Sequence, residues 1–182
     1  NNQKKGQVHW DNFQWVRNYI SASPRPLNTV KTYGSDRYRF GSNQDGIDRF
    51  WRHIIGGAAS ARFHRPPAGL GLSELSMASV KTARDIEEIV KFWELQPDNS
   101  LLSNREEDEA YLASKPGETY VLFFTDGGEV GLNLAGFNYN FSLKWINIRT
   151  GEVHPEKVIK GGEIIQLQAP GNLEWVAVLS KI

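Results

Sequence analysis

Cysteine is absent from the chain, which excludes a disulfide framework, a thiol nucleophile and a thiolate zinc site. Charge bias is absent as well. Lys and Arg number 21 against 21 Asp and Glu, so bulk electrostatics favour neither nucleic acid nor an anionic membrane surface as a partner. No apolar run approaches the roughly 20 residues that span a bilayer. Residues 1–6 are polar and lack a signal-peptide core, so a soluble chain is expected, with any export signal outside it. His9, His53, His64 and His154 are scattered, without His-x-His or His-Glu-x-x-His spacing. The sequence holds no Gly-x-Ser-x-Gly elbow, and Gly69-x-Gly71 lacks the third glycine of a nucleotide cradle. Neither a metal nor a cofactor is expected. Internal repeats and low-complexity segments are also missing.

What remains is 40% hydrophobic and 12% aromatic over 182 residues, enough to build a core in one domain or two small ones. Asp11 or Asn12 can cap a helix carrying Phe13, Val16 and Ile20, which Ser23-Pro24 ends. Residues 27–33 read as a strand closed by Gly34, and a short further strand is conceivable at Asn1-Asn2. Ile47, Phe50, Trp51, Ile54 and Ile55 then give a helical stripe, stopped by Gly56-Gly57. Residues 58–64 form the next strand. It ends in His64-Arg65 and a Pro/Gly-rich loop, the kind of strand end where α/β proteins place their chemistry. A last helix starts near Ser76 or Ser79, turns Val80, Ala83, Ile86, Val90 and Trp93 inward, and stops before Pro97. Helix and strand alternating in short units predict parallel sheet with crossover helices over residues 1–97.

Residues 98–108 are polar and turn-rich and read as a linker. From Glu109 the hydrophobic period changes to that of strands. Tyr111 to Ala113 and Thr119 to Phe124 flank a Lys115-Pro116-Gly117-Glu118 turn, and Val130, Leu132 and Leu134 alternate after Asp126-Gly127-Gly128. Phe141, Leu143 and Trp145 alternate again, and residues 175–179 close the chain. About seven short strands predict an antiparallel β-sandwich over residues 109–182. Trp15, Trp51, Trp93, Trp145 and Trp175 lie on periodic apolar faces and are expected in the core.

The quoted strands and turns of the second half resemble a known domain. Its most specific part is Trp145-Ile146-Asn147-Ile148-Arg149-Thr150-Gly151-Glu152, joined by Gly171-Asn172-Leu173-Glu174-Trp175-Val176. This half resembles the C-terminal β-sandwich, labelled collagen-binding, of bacterial apiosidase-like glycoside hydrolases. The first half resembles the end of the (β/α)8 barrel that precedes it, with Pro26 to Gly34 matching the seventh strand and Ala58 to Pro67 the eighth. The resemblance implies α/β plus all-β: an incomplete (β/α) barrel end followed by an antiparallel β-sandwich. A closed barrel takes about 250 residues, so the chain is expected to be the C-terminal fragment of a secreted or periplasmic carbohydrate-active parent. An open barrel edge leaves backbone and apolar faces uncovered, which predicts a homo-oligomer formed through that edge.

Barrel glycosidases need two carboxylates across the scissile bond. The resemblance places one of them on a fourth strand that this chain does not contain, and the expected nucleophile position on residues 28–33 carries Lys31 instead of an acid. Glu74, after the eighth strand, is the candidate catalytic acid, with helix capping as its alternative. Trp10, Lys31, Tyr33, His64 and Arg65 are the candidate substrate-binding residues. Rings at strand ends stack on sugar faces while cations donate to hydroxyls, and packing is the alternative for Trp10 and His64. Alone, the fragment is expected not to hydrolyse glycosides. The rival readings are a carbohydrate- or collagen-binding module, signalled by exposed Phe137 or Tyr139, and a purely structural sandwich.

Overall fold

The computed structural model describes residues 2–182. Part of the suggested Asn1-Asn2 strand therefore lies outside the described residues. Helix α1 spans Gly6–Tyr19 and starts five residues before the expected Asp11 cap. Its N-cap, Lys5, makes no side-chain bond. The acid at its start is Asp108, whose Oδ2 lies 3.1 Å from where a Cβ on Gly6 would sit. A carboxylate there complements the helix dipole, and sequence proximity could not reveal it. His9, Trp10 and Phe13 of α1 are buried, which corrects the expectation of the Trp10 ring at a strand end.

Strand β1 (Asn28–Thr32) and strand β2 (Ser60–Phe63) pair in parallel, joined by helix α2 (Asn43–Ile55). Among the described residues neither outer edge of this pair carries another strand. Ser42 caps α2 by accepting from the Asp45 N–H, and Asp45 accepts from the Ser42 N–H at 2.7 Å, a complete capping box. Ile47, Phe50, Trp51 and Ile55 are buried as the stripe predicted, but so are Asp48, Arg49, Arg52 and His53. The helix is enclosed on nearly all sides. Arg49 answers its own burial by donating to four backbone carbonyls, those of Gln3, Lys4, Tyr33 and Phe40, and so ties three segments to one guanidinium.

Helix α3 (Glu74–Glu87) follows, capped by Ser73. Its buried face includes Ser76, Ser79, Thr82, Ala83 and Ile86, while Val80 is 42% exposed. Small hydroxyl residues let α3 approach closely because their O–H groups find partners. Ser79 accepts from Trp51 Nε1 at 2.8 Å and Thr82 donates to the Ile148 carbonyl. Trp93 lies beyond the helix in a 3-10 turn and is 73% exposed, and Trp15 is 66% exposed and stacked on Tyr19. Both depart from the expected core positions: the buried face of α1 is that of His9, Trp10 and Phe13, and Trp93 falls past the end of α3.

Just before the segment expected as a linker, strand β3 (Gln96–Pro97) pairs with β5 (Ala110–Lys115), and within it β4 (Leu102–Ser103) pairs with β7 (Glu129–Asn133). With β6 (Thr119–Phe124), β8 (Asn140–Asn147), β9 (Lys157–Lys160), β10 (Ile164–Gln168) and β11 (Trp175–Lys181), they form two antiparallel sheets. The larger has the order β3-β5-β6-β11-β8-β9 and the smaller β10-β7-β4. Leu112, Leu122, Phe124, Leu132, Phe141, Trp145, Leu167 and Trp175 fill the space between them. The other face of the large sheet presents Tyr111, Val121, Phe123, Val176 and Val178 to Trp10, Phe50, Trp51 and Ile86. Strands β6 and β11 are thus buried on both faces, which is why their sequences run apolar without alternation. The result is a mixed α/β fold with no closed barrel among the described residues, and its helices and sandwich share one core.

Candidate functional site

The carboxyl ends of β1 and β2 open into two loops that are pinned to each other. The Gly34 N–H donates to the Ala68 carbonyl, and the Gly71 N–H donates to the His64 carbonyl. The Pro66-Pro67 bond is cis. A Cβ on Gly69 would collide with the His64 carbonyl oxygen, so only glycine fits there. Tyr33 packs against His64 with ring centroids 4.4 Å apart and planes tilted by 35°, and against Phe40 at 4.5 Å and 55°.

Beside these ends a groove of about 900 Å³ runs between the free edge of β2 and helix α3. Lys31, Arg62, His64 and Arg65 form one rim, and Leu72, Met77 and Val80 form an apolar wall opposite. Lys81, also on the α3 side, is paired with Asp85 at 2.6 Å. No carboxylate lines the groove. The potential there is positive: desolvation holds the His64 imidazole below its ordinary value, and Lys31, Arg65 and Arg62 push it the same way.

The fold therefore brings together Lys31, His64 and Arg65, with the Tyr33 ring packed against His64. It does not bring Glu74 to them. Glu74 is the first residue of α3, exposed and outside the groove lining, where an acid complements the helix dipole. Trp10 is not available to a sugar either: it is 5% exposed, and its ring lies 4.7 Å from that of Tyr111. The other loop acids also have structural duties. Asp36 accepts from the Asn43 N–H. Burial pushes the Asp45 carboxyl up, but hydrogen bonds from Lys5 and Ser42 outweigh it and leave the group below its ordinary value. Arg62 went unmarked in the sequence, although its place between Ala61 and Phe63 in a short strand is the alternation that puts it on the opposite face.

A second polar cluster lies between α1, α2 and the large sheet. Arg52 donates to both Asp108 oxygens, at 2.7 and 3.0 Å, and Tyr111 Oη donates to Asp108 at 2.5 Å. Burial pushes the neighbouring Asp48 carboxyl up to about 7 against the pull of Arg52. His9 and His53 lie with ring centroids 4.5 Å apart. Burial, then the neighbouring cationic groups, lower His9 to about 2 and His53 to about 3. Both nitrogens of His9 and Nδ1 of His53 lack a hydrogen-bond partner among the described residues. This cluster is enclosed by packed side chains and holds the layers together. Among the described residues, no group of three His, Asp or Glu could hold a metal ion, and no helix is long and apolar enough to cross a membrane.

No family model matches the chain, and no curated protein matches it. Solved structures do. A glycoside hydrolase family 5 protein from Bacteroides vulgatus matches with a TM-score of 0.70 at 14% identity, over 95% of this chain and 45% of that one. Another glycoside hydrolase matches with a TM-score of 0.72 at 11% identity, over 95% of this chain and 46% of that one. A noncanonic maltogenic α-amylase from Thermotoga neapolitana gives 0.56 at 11% identity, over 97% and 46%. The chain thus spans about half the length of the structures it matches. At these identities the likeness is one of fold: this chain folds like part of a glycoside hydrolase.

Proposed function

We propose that the chain is the C-terminal part of a carbohydrate-active β/α-barrel enzyme, with β1, α2, β2 and α3 as its last barrel units and the sandwich as a packed accessory. The observation that supports this is the parallel β1-α2-β2 unit with two unpaired edges, running into a sandwich that shares its core. The likeness to glycoside hydrolases over nearly the whole chain, but half of theirs, supports it independently. The apiosidase-like assignment, with a sandwich of the type labelled collagen-binding, and an exported location for the whole enzyme belong to this proposal.

In this reading the groove at the strand ends is one wall of a sugar site. The His64 ring, backed by Tyr33, offers an aromatic contact, and Lys31 and Arg65 donate to sugar oxygens. Glycoside hydrolysis requires two carboxylates roughly 5 to 10 Å apart, and the groove lining supplies none. The acids would come from strands added beyond β1 and β2. Phe137 and Tyr139 are half-buried; the Tyr139 hydroxyl donates to the Gly117 carbonyl, and Lys181 Nζ lies 4.2 Å from its ring centroid. The large apolar side chains exposed on the sandwich, such as Val153, Val158, Ile164 and Leu173, are not aromatic. A supporting role for the sandwich therefore takes precedence over a sugar-stacking one. The test is an assay of the isolated chain against a panel of aryl glycosides and soluble polysaccharides. No turnover is expected; hydrolysis abolished by Glu74→Gln would overturn the division of roles.

A further inference from the structure

We propose that the rim formed by Lys31, Arg62, His64 and Arg65 takes an anionic sugar, one bearing a uronate carboxylate or a sulfate ester, in preference to a neutral one. The inference rests on the reading of this groove as a sugar site and adds the class of sugar.

The argument is one of donors and acceptors. A neutral sugar hydroxyl both gives and receives hydrogen bonds, so a site built for it offers acceptors as well as donors. Lys and Arg side chains have no acceptor. Lys31, Arg62 and Arg65 are therefore donors only, and no Asp or Glu lines the groove to balance them. The hydroxyl in the groove lining, Ser76 Oγ, is buried and donates to the Gly71 carbonyl at 2.9 Å. A ligand group that only accepts, and carries charge, fits such a rim best.

Cations without an ion-pair partner occur elsewhere on this neutral chain as well, and what distinguishes the rim is that three of them line one groove. Lys31, Arg62 and Arg65 have no ion-pair partner among the described residues. Arg62 is moreover oriented, since its Nε donates to the Val30 carbonyl at 3.1 Å and leaves the terminal nitrogens for a forked contact. The His64 ring, with the Tyr33 ring tilted 35° against it, adds an aromatic contact beside the charged rim.

The experiment is calorimetric titration of the 182-residue chain with trigalacturonate, its fully methyl-esterified form, a sulfated oligosaccharide, cellotriose and inorganic sulfate. Trigalacturonate or the sulfated sugar is expected to bind at least about tenfold more tightly than the ester or cellotriose, and to weaken with added salt. The stronger of the two identifies the anionic group. Lys31→Ala, Arg62→Ala and Arg65→Ala should each reduce that affinity, Arg62→Lys should restore it only in part, and Lys144→Ala on the sandwich should leave it unchanged. Equal binding of acid and ester overturns the charge preference and leaves the sugar site standing. Inorganic sulfate binding as tightly as the best sugar overturns sugar recognition by the rim. Failure of every oligosaccharide to bind overturns the reading of the groove as a sugar site.

Discussion

His9 and His53 are held neutral by their burial, and their effect on stability has a definite sign. Their ordinary value is 6.5, and the folded values are about 2 and about 3. Below pH 6.5 the unfolded chain binds protons that the folded one refuses, so folding weakens as pH falls, by about 1.4 kcal/mol per pH unit for each histidine. Asp48 acts oppositely. Its carboxyl is raised from 3.8 to about 7, so between those values the folded state binds the extra proton and gains stability as pH falls. One histidine is thereby offset down to about pH 4, after which both act unopposed. His9→Leu should flatten the acid side of the stability curve between pH 6 and 4 in urea titrations; an unchanged slope would show that the imidazole reaches water. This pairing was invisible in the sequence, since the partners lie 44 positions apart and neither belongs to a recognisable motif. Lys31, Tyr33, His64 and Arg65 were legible because a strand followed by a Pro/Gly-rich loop marks its own end.

The helices differ in how well sequence pattern fixed their faces. The stripe of α2 was readable because its large apolar residues recur at helical spacing and Ile47, Phe50, Trp51 and Ile55 are buried. In α3 the pattern misled: Val80 was the apolar choice, yet Ser76, Ser79 and Thr82 face inward with their hydroxyls bonded. Periodicity weighs hydrophobicity, whereas close packing between helices rewards small size. Ser79→Val should remove the acceptor for Trp51 Nε1 and cost about 1 to 3 kcal/mol, whereas Val80→Gln on the groove wall should change stability by less than about 0.5 kcal/mol. Urea midpoints of the two variants check both values, and comparable losses would contradict the assigned faces. The start of α1 was misplaced for a related reason, because the acid at its first turn is Asp108, which arrives through tertiary structure.

The whole molecule behaves as one unit because the large sheet is covered on both faces. Phe123 belongs to the layer shared with Trp51 and Tyr111, so Phe123→Ala should cost about 3 to 5 kcal/mol and lower a single cooperative transition rather than one of two. Two separate transitions in calorimetry would argue against a common core. The sandwich was readable as strands and turns, but its fusion with the helical layer was not, since the double-sided burial of β6 and β11 shows only as unbroken apolar runs. The free edge of β1 leads us to expect self-association of the chain at micromolar concentration in sedimentation, reversed by a substitution that charges that strand, such as the exposed Val30→Glu. The central claim, that the strand ends of an open barrel unit form a sugar site, is tested most directly by nuclear magnetic resonance titration of the labelled chain with oligosaccharides. The expected result is saturable shifts confined to Lys31, Tyr33, Arg62, His64 and Arg65; shifts centred on Phe137 and Tyr139 of the sandwich, with the strand ends silent, would contradict it.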